Sequence, residues 1–473
     1  MLKPKYLLAL LGIPIAYLLV LTVHVLPVAT SASSYIAAVR GEESGSNSKE
    51  FAKSIDRLIS DLDVPIVKQL LNVAGLDLSP IRNEIKSLVS AGPTLAGADG
   101  PKKYLVSFQN SAEARGTGGI LGAFAIIEMN KGNLKVLRTG SNASLYSMSI
   151  STLPIDMPPE FLRLYGNNPG ILQNSNLSPH FPYGAQIWMG LWKKAYNEDL
   201  DGVIAVDPSA LSYILKATGP IELPNGEKIT AENVVSETLE RAYKRFEKDN
   251  NARKEYLVQI LNAAASKLVA KDFNKRKMVA GLVQGIIEHR ILIYSTDNKA
   301  EEMLAKSRIA GFMSKEPNNE FRTVIQNIDA SKLDYYLDRS VVVESMECKD
   351  VRKTQVRIVV KNTLKSGKGL PAYVLTRADK GKPADLVTGA HRFKVFIYGP
   401  TGAKLVDAWR ENRTANLGGA STERLRPVYV ADVDLSPGES EELHANFAGG
   451  VGKISFIDQP LVRTTQIEIK DKC

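Results

Sequence analysis

Apolar residues recur at helical spacing in some stretches of this 473-residue chain and at every second position in others, and the change of period divides it. Residues 6–28 are mostly Leu, Val, Ile and Ala, and no Asp, Glu, Lys or Arg occurs from 6 to 39. A helix needs about 20 such residues to cross a bilayer, and a proline such as Pro14 kinks it without breaking it. A flexible joint, GEESGSNS (41–48), follows. Phe51, Ile55, Leu58 and Ile59, then Ile81, Ile85, Leu88 and Val89, predict two or three amphipathic helices over 50–90. AGPTLAGADGP (91–101) reads as a linker.

From 103 the elements alternate. Strands are predicted at 103–109, 120–129, 133–138 and 202–206, with later ones at 290–294 and 321–328. Helices are predicted at 185–196, behind Pro208 to Ala217, from Thr230 to about Lys248, and over two further stretches ending near 289. Beyond Asp334, residues 354–361, 392–398, 428–435 and 465–470 alternate apolar with polar, separated by turns such as SGKG and SPGES. The expected organisation is a transmembrane anchor (1–35), a helical stalk and linker (36–100), a layered α/β domain (101–333) and a C-terminal all-β sandwich (334–473).

Charge orients this plan. Lys3 and Lys5 precede the apolar run and the next charge is Arg40, so the positive-inside rule leaves the N-terminus in the cytoplasm and the bulk outside. Small residues at 29–32 would permit cleavage, but a cleaved leader has a core of only about 7–15 residues, which favours an anchor. The net charge of +9 is spread along the chain, with no basic run dense enough for nucleic acid. Two cysteines, Cys348 and Cys473, are an even count that permits a disulfide in an exported chain. A Cys348–Cys473 disulfide is the expectation, and two unpaired thiols are the alternative.

No standard catalytic signature is present: the five histidines are scattered, and there is no nucleophile elbow or phosphate loop. The glycine-rich stretch NSAEARGTGGILGAF (110–124) leads into a strand, whereas dinucleotide fingerprints lead into a helix. What remains is a tight turn, or a polar loop in which Asn110 and Arg115 could meet an anion. Asp207 before Pro208 fits helix capping, and a ligand role is the alternative. Phe181, Tyr183, Trp188 and Trp192 could stack on sugars, but the i, i+4 spacing of the tryptophans fits a core face.

YLVSFQNSAEARGTGGILGAF, NSNLSPHFP (174–182) and DGVIAVDPSALSYILKATGPIEL (201–223) closely resemble the bacterial family catalogued as domain of unknown function 4012. The order of elements is more distantly similar to the LytR–CpsA–Psr domain. That resemblance implies a membrane-tethered, extracytoplasmic protein of the cell envelope that binds or transfers polyprenyl-phosphate-linked glycopolymers. An enzyme of that type would be a phosphotransferase, with Mg²⁺ as its cofactor. Carried over by position, Arg115, Arg245 and Arg253 would contact the anion, with Asn110, Asn176 and Asp207 helping to position it. The family's Arg-Asp pair after the third strand is replaced here by RTGSNASL, and two polar residues of its late helix by Tyr256 and Leu257. Binding of a polyprenyl phosphate or wall polymer asks less of these residues than transfer does. The alternative is a non-catalytic surface scaffold whose β-sandwich binds a partner.

Overall fold

The computed structural model describes residues 82–153, 158–166, 168–270, 273–348, 351–376, 387–411 and 418–473. The expected anchor and most of the expected stalk lie outside these residues. Among the described residues no helix is long and apolar enough to cross a membrane.

The chain forms two compact units. In the first, helix α1 (Arg82–Leu95) packs on a short helix, Asn298–Leu304. Glu84 Oε1 accepts from the Arg308 backbone N–H at 3.4 Å. α1 runs past Ala91, where a linker was expected, and carries Pro93 in its last turn. A proline there removes the bond its own nitrogen would have donated and crowds the carbonyl four residues back, so it sits where the helix is about to end.

Most of a mixed α/β domain, and the β-rich region that follows it, fall in the second unit. Strands β1 (Lys102–Arg115), β2 (Gly118–Asn130), β3 (Asn133–Ser141), β4 (Gly202–Val206) and β5 (Ile291–Ser295) form one sheet in the order β3-β2-β1-β4-β5. β4 reads GVIAV and is buried, as an unbroken apolar run requires. Helix α2 (Phe181–Tyr196) lays Phe181, Trp188, Leu191 and Trp192 against this sheet's core with Leu105, Phe124 and Val203. The aromatic cluster is therefore core, apart from the partly exposed Tyr183.

Helix α3 (Pro208–Thr218) starts where Asp207 accepts the Ala210 N–H at 2.7 Å, and stops at Gly219, whose φ of +74° most residues avoid. Helix α4 (234–245) contains one wide turn at Glu237–Arg241. Asp249 caps the long helix α5 (Asn250–Val269) and Asn274 caps α6 (Lys275–Ile287).

The β-rich region consists of two five-stranded sheets. The first contains β7 (Leu337–Glu347), β8 (Lys353–Asn362), β10 (Lys404–Arg410), β13 (Ser440–Ala448) and β15 (Gln466–Lys470). The second contains β6 (Glu320–Asn327), β9 (His391–Tyr398), β11 (Gly418–Glu423), β12 (Arg426–Leu435) and β14 (Ser455–Ile457). Alternate residues such as Val341, Val343, Val356 and Ile358 face Phe321, Ile325, Phe393 and Val395 in one core. β6 was expected among the α/β strands. Its partner is β9, with Phe393 opposite Asn327 and Tyr398 opposite Arg322, because Phe321 and Ile325 belong to the β-rich core. Cys348 and Cys473 form a disulfide that ties the chain end to β7.

Candidate functional site

A cavity of about 450 Å³ opens between β1–β2 of the sheet and helices α3, α4 and α5. Its character follows from the sequence of α5. Arg253, Lys254, Leu257, Ile260 and Leu261 all line it, and these positions recur on one side of a helix. At ~1.5 Å per residue, Leu261 lies ~12 Å along the axis from Arg253. The charged residues therefore sit at the N-terminal end of α5 and the apolar ones deeper along it. Phe108 and Ile120 from the sheet, Leu211 from α3 and Leu239 from α4 complete the apolar wall.

The polar end is built around two stacked tyrosines. The rings of Tyr243 and Tyr373 lie 5.9 Å apart and 16° from parallel. The Arg253 guanidinium lies 4.3 Å from the centre of Tyr243 and 5.3 Å from that of Tyr373, and Lys332 Nζ lies 4.8 Å from Tyr373. Both cations are within range of the ring quadrupoles. Asn250 Oδ1 takes Arg253 Nε at 3.2 Å and Nη2 at 2.6 Å. Asn110 Nδ2 donates to Tyr243 Oη at 2.6 Å, and Ala112 N–H on Oδ1 fixes that amide's orientation.

Glu113 anchors the cations. One carboxylate oxygen takes Arg115 Nη2 at 2.9 Å and the other takes Lys332 Nζ at 2.6 Å. All three side chains are buried. Burial favours the neutral acid, but Lys332 and Arg115 outweigh it and hold Glu113 below the ordinary carboxylate range. Burial likewise opposes the charge on Lys332, yet Glu113 raises its pKa to about 12. Lys254, partly buried and next to Arg253, is pushed down by burial and then by that like charge. Among the described residues no carboxylate pairs with Arg253.

Of the residues picked out in the sequence, Asn110 and Arg253 line the cavity. Arg115 does not; it is buried behind Glu113, donating also to the Gln173 and Asn327 carbonyls at 2.9 and 3.2 Å. It acts on the cavity through Glu113 rather than on an anion. Arg245 lies outside the cavity, paired with Glu227 at 2.8 Å and Glu237 at 3.0 Å. Asn176 is buried under the glycine turn, where its Nδ2 donates to Thr117 Oγ1 at 3.0 Å and the Gly119 carbonyl at 2.9 Å. A Cβ at Gly116 would stand 2.2 Å from the Leu177 carbonyl oxygen, and one at Gly119 2.1 Å from that of Asn110. The glycines thus serve close packing of a turn. Asp207 caps α3 and pairs with Arg290 at 2.6 Å, so it is structural.

Glu113, Lys332, Tyr243, Tyr373 and Lys254 were not picked out. Glu113 could have been, since it is two residues from Arg115 on one side of a strand. Lys254 adjoins Arg253 in the chain. Lys332 and Tyr373 come from distant segments, and nothing local marks them.

The Mg²⁺ expected from the LytR–CpsA–Psr resemblance can be tested against this donor set. Mg²⁺ takes oxygen ligands, usually one or two carboxylates. The one carboxylate lining the cavity is Glu113, and both its oxygens are held by cations. Among the described residues no group of three His, Cys, Asp or Glu side chains could hold a metal. The residues do not fit the ion.

Solved structures resemble parts of the chain at low identity. Lin1025 from Listeria innocua is 11% identical and is matched over 85% of its length and 47% of this chain, with a TM-score of 0.25. The gbs0355 protein of Streptococcus agalactiae is 13% identical over 75% of its length and 46% of this chain, with a TM-score of 0.27. The transcriptional regulator yvhJ of Bacillus subtilis is 12% identical over 94% of its length and 43% of this chain, with a TM-score of 0.23. No curated protein matches the chain significantly. One family model does match, over residues 99–243, the segment that carries β1 to β4, α3 and Tyr243: that of the family described as protein of unknown function (DUF4012).

Proposed function

We propose that the protein holds a lipid with a long apolar chain and an anionic phosphate head, of the polyprenyl phosphate kind, at the outer face of a bacterial membrane. The observation that carries this reading is the gradient along α5. Arg253 and Lys254, with Lys332 opposite, gather positive charge at one end of the cavity, while Leu257, Ile260 and Leu261 continue into an apolar pocket. An amphiphile satisfies both ends at once. Its head would meet Arg253, which has no carboxylate partner among the described residues, and its chain would leave water for an apolar wall, gaining about 25 cal/mol per Å² buried. The uncharged run at 6–28 supports a membrane location, because it would keep the cavity near lipid.

The geometry favours holding over transfer. A transfer reaction needs a group to activate the nucleophile or a metal to offset developing charge. The cavity's carboxylate is fully engaged with Arg115 and Lys332. The test is mass spectrometry of lipids that co-purify with the full-length protein from its own membranes. An isoprenoid phosphate is expected with wild type and much less with Arg253→Leu. Equal amounts from both, or no phospholipid or isoprenoid from either, would refute the reading.

A further inference from the structure

We infer that the polar end of the cavity takes a phosphate monoester without a metal ion, with Lys332 supplying the charge a divalent cation would and Glu113 as its positioning residue. This rests on the lipid-holding reading above and narrows its head group.

Charge counting comes first. Among the side chains that line the cavity, Arg253, Lys254 and Lys332 face the single carboxylate of Glu113, which leaves two positive charges over; Arg115 also pairs with Glu113 but lies behind it, outside the lining. A phosphate monoester carries about −1.5 to −2 at pH 7. The side chains alone match it. A diphosphate carries more charge than they offset.

The donors come second. A lysine ammonium has three hydrogens. Lys332 gives one to Glu113 at 2.6 Å and one to the Ala330 carbonyl at 3.0 Å, leaving one beside the tyrosine pair. Arg253 uses Nε and one Nη2 hydrogen on Asn250, and among the described residues its Nη1 has no partner. Tyr243 Oη accepts from Asn110, so its own hydrogen is left to donate. Three donor groups thus remain around one stacked pair of rings, while each oxygen of Glu113 is already turned to a cation, Arg115 or Lys332.

Glu113 fixes this arrangement. It pins Lys332 from one oxygen and is itself held by Arg115 from the other. Replacing it with Gln keeps the shape, removes one negative charge and frees Lys332. The cavity surplus then rises, which suits a diphosphate better.

The experiment is calorimetric titration of the full-length protein with farnesyl phosphate and with farnesyl diphosphate, each in EDTA and again in excess MgCl2. Farnesyl phosphate is expected to bind in EDTA about tenfold more tightly than the diphosphate, the scale of one charge-assisted hydrogen bond. Added Mg²⁺ should leave its affinity unchanged. Lys332→Met should weaken it by about tenfold or more for the same reason. Glu113→Gln should move the ratio of the two affinities toward the diphosphate, which loss of mere structural support would not do. Near-ultraviolet circular dichroism checks that each variant is folded. Farnesyl phosphate binding that needs Mg²⁺, a diphosphate preference in EDTA, or an unmoved ratio in a folded Glu113→Gln would overturn the inference while leaving lipid binding intact. Binding of neither lipid to the folded wild type in either condition would refute the lipid-holding reading, and the inference with it.

Discussion

Replacing Asp207 separates its structural role from a role in ligand positioning. The carboxylate accepts the Ala210 N–H at 2.7 Å and Arg290 Nη1 at 2.6 Å, and it is buried. Asp207→Ala removes a helix N-cap, worth about 1 kcal/mol. It also takes from a buried guanidinium one of its two carboxylate partners, a loss of roughly 3–5 kcal/mol when nothing compensates. Compensation is partial here. Arg290 keeps Glu288 at 2.6 Å and the Leu461 carbonyl at 3.1 Å, so the low end of that range applies. The expected total is about 3–4 kcal/mol. Asp207→Asn should cost less, because an amide oxygen can still cap α3. Urea unfolding of the full-length variants at neutral pH, read from the midpoint at constant slope, gives the loss. Farnesyl phosphate titration of the same folded samples gives the affinity. Since Asp207 is set back from the cavity and only its neighbour Pro208 lines it, affinity should be unchanged. A stability loss below about 1 kcal/mol, less than the cap and the pair together require, would refute this reasoning. So would unchanged stability with weakened binding, which would return Asp207 to the site.

Arg253→Leu should stay folded, since it loses only Asn250 and the tyrosine rings as partners, and should bind farnesyl phosphate about tenfold or more weakly, read by titration. Stability should fall in acid. Burial opposes the charge on Glu113 and Asp334, yet Lys332 and Arg115 hold the first, and His391 the second, below their ordinary values. The stability they contribute is therefore present above the unfolded-state values near pH 4 and is lost as pH falls through the lower folded-state values. Urea midpoints taken from pH 7 downward should show this, and Glu113→Gln should flatten the profile. Reduction of the Cys348–Cys473 disulfide opens a loop of 125 residues' separation. The chain-entropy model puts the loss at up to about 5 kcal/mol. An unfolding midpoint unmoved by reductant or by Cys473→Ser would contradict it.

Local chemistry was legible wherever neighbours in the chain decide the structure. Asp207-Pro208 announced the start of α3 and Gly219 its end. The i, i+4 tryptophans of α2 declared a core face, and both are fully buried. The strand after the glycines excluded a nucleotide loop, and β2 confirms it. Pairing across long separations was not legible. Arg245 and Arg253 are the same residue type and lie eight residues apart. Two carboxylates, Glu227 and Glu237, capture the first, while α5 turns the second into the cavity. No periodicity distinguishes those fates. Lys332 needed the coordinates too, because the carboxylate that holds it is 219 residues away.

That long-range pairing also bears on where the chain can be divided. A change of period near 334 suggested an α/β domain ending and a β-rich one beginning. The hydrogen bonds cross that line at the very strand that carries Glu113. Asp334 Oδ2 accepts the Ala114 N–H at 2.9 Å and Asn327 Nδ2 at 2.7 Å. Gln459 Nε2 donates to the Arg115 carbonyl at 2.7 Å. Ala114 and Arg115, the two residues that follow Glu113, are thus fixed by side chains from the β-rich region. Lys332 itself lies between β6 and β7 of the two β-rich sheets. The cavity's apolar wall belongs to the α/β elements, but the position of its charge is set by the β-rich region. A separate α/β domain would keep the pocket and lose the geometry that gives the pocket its sign.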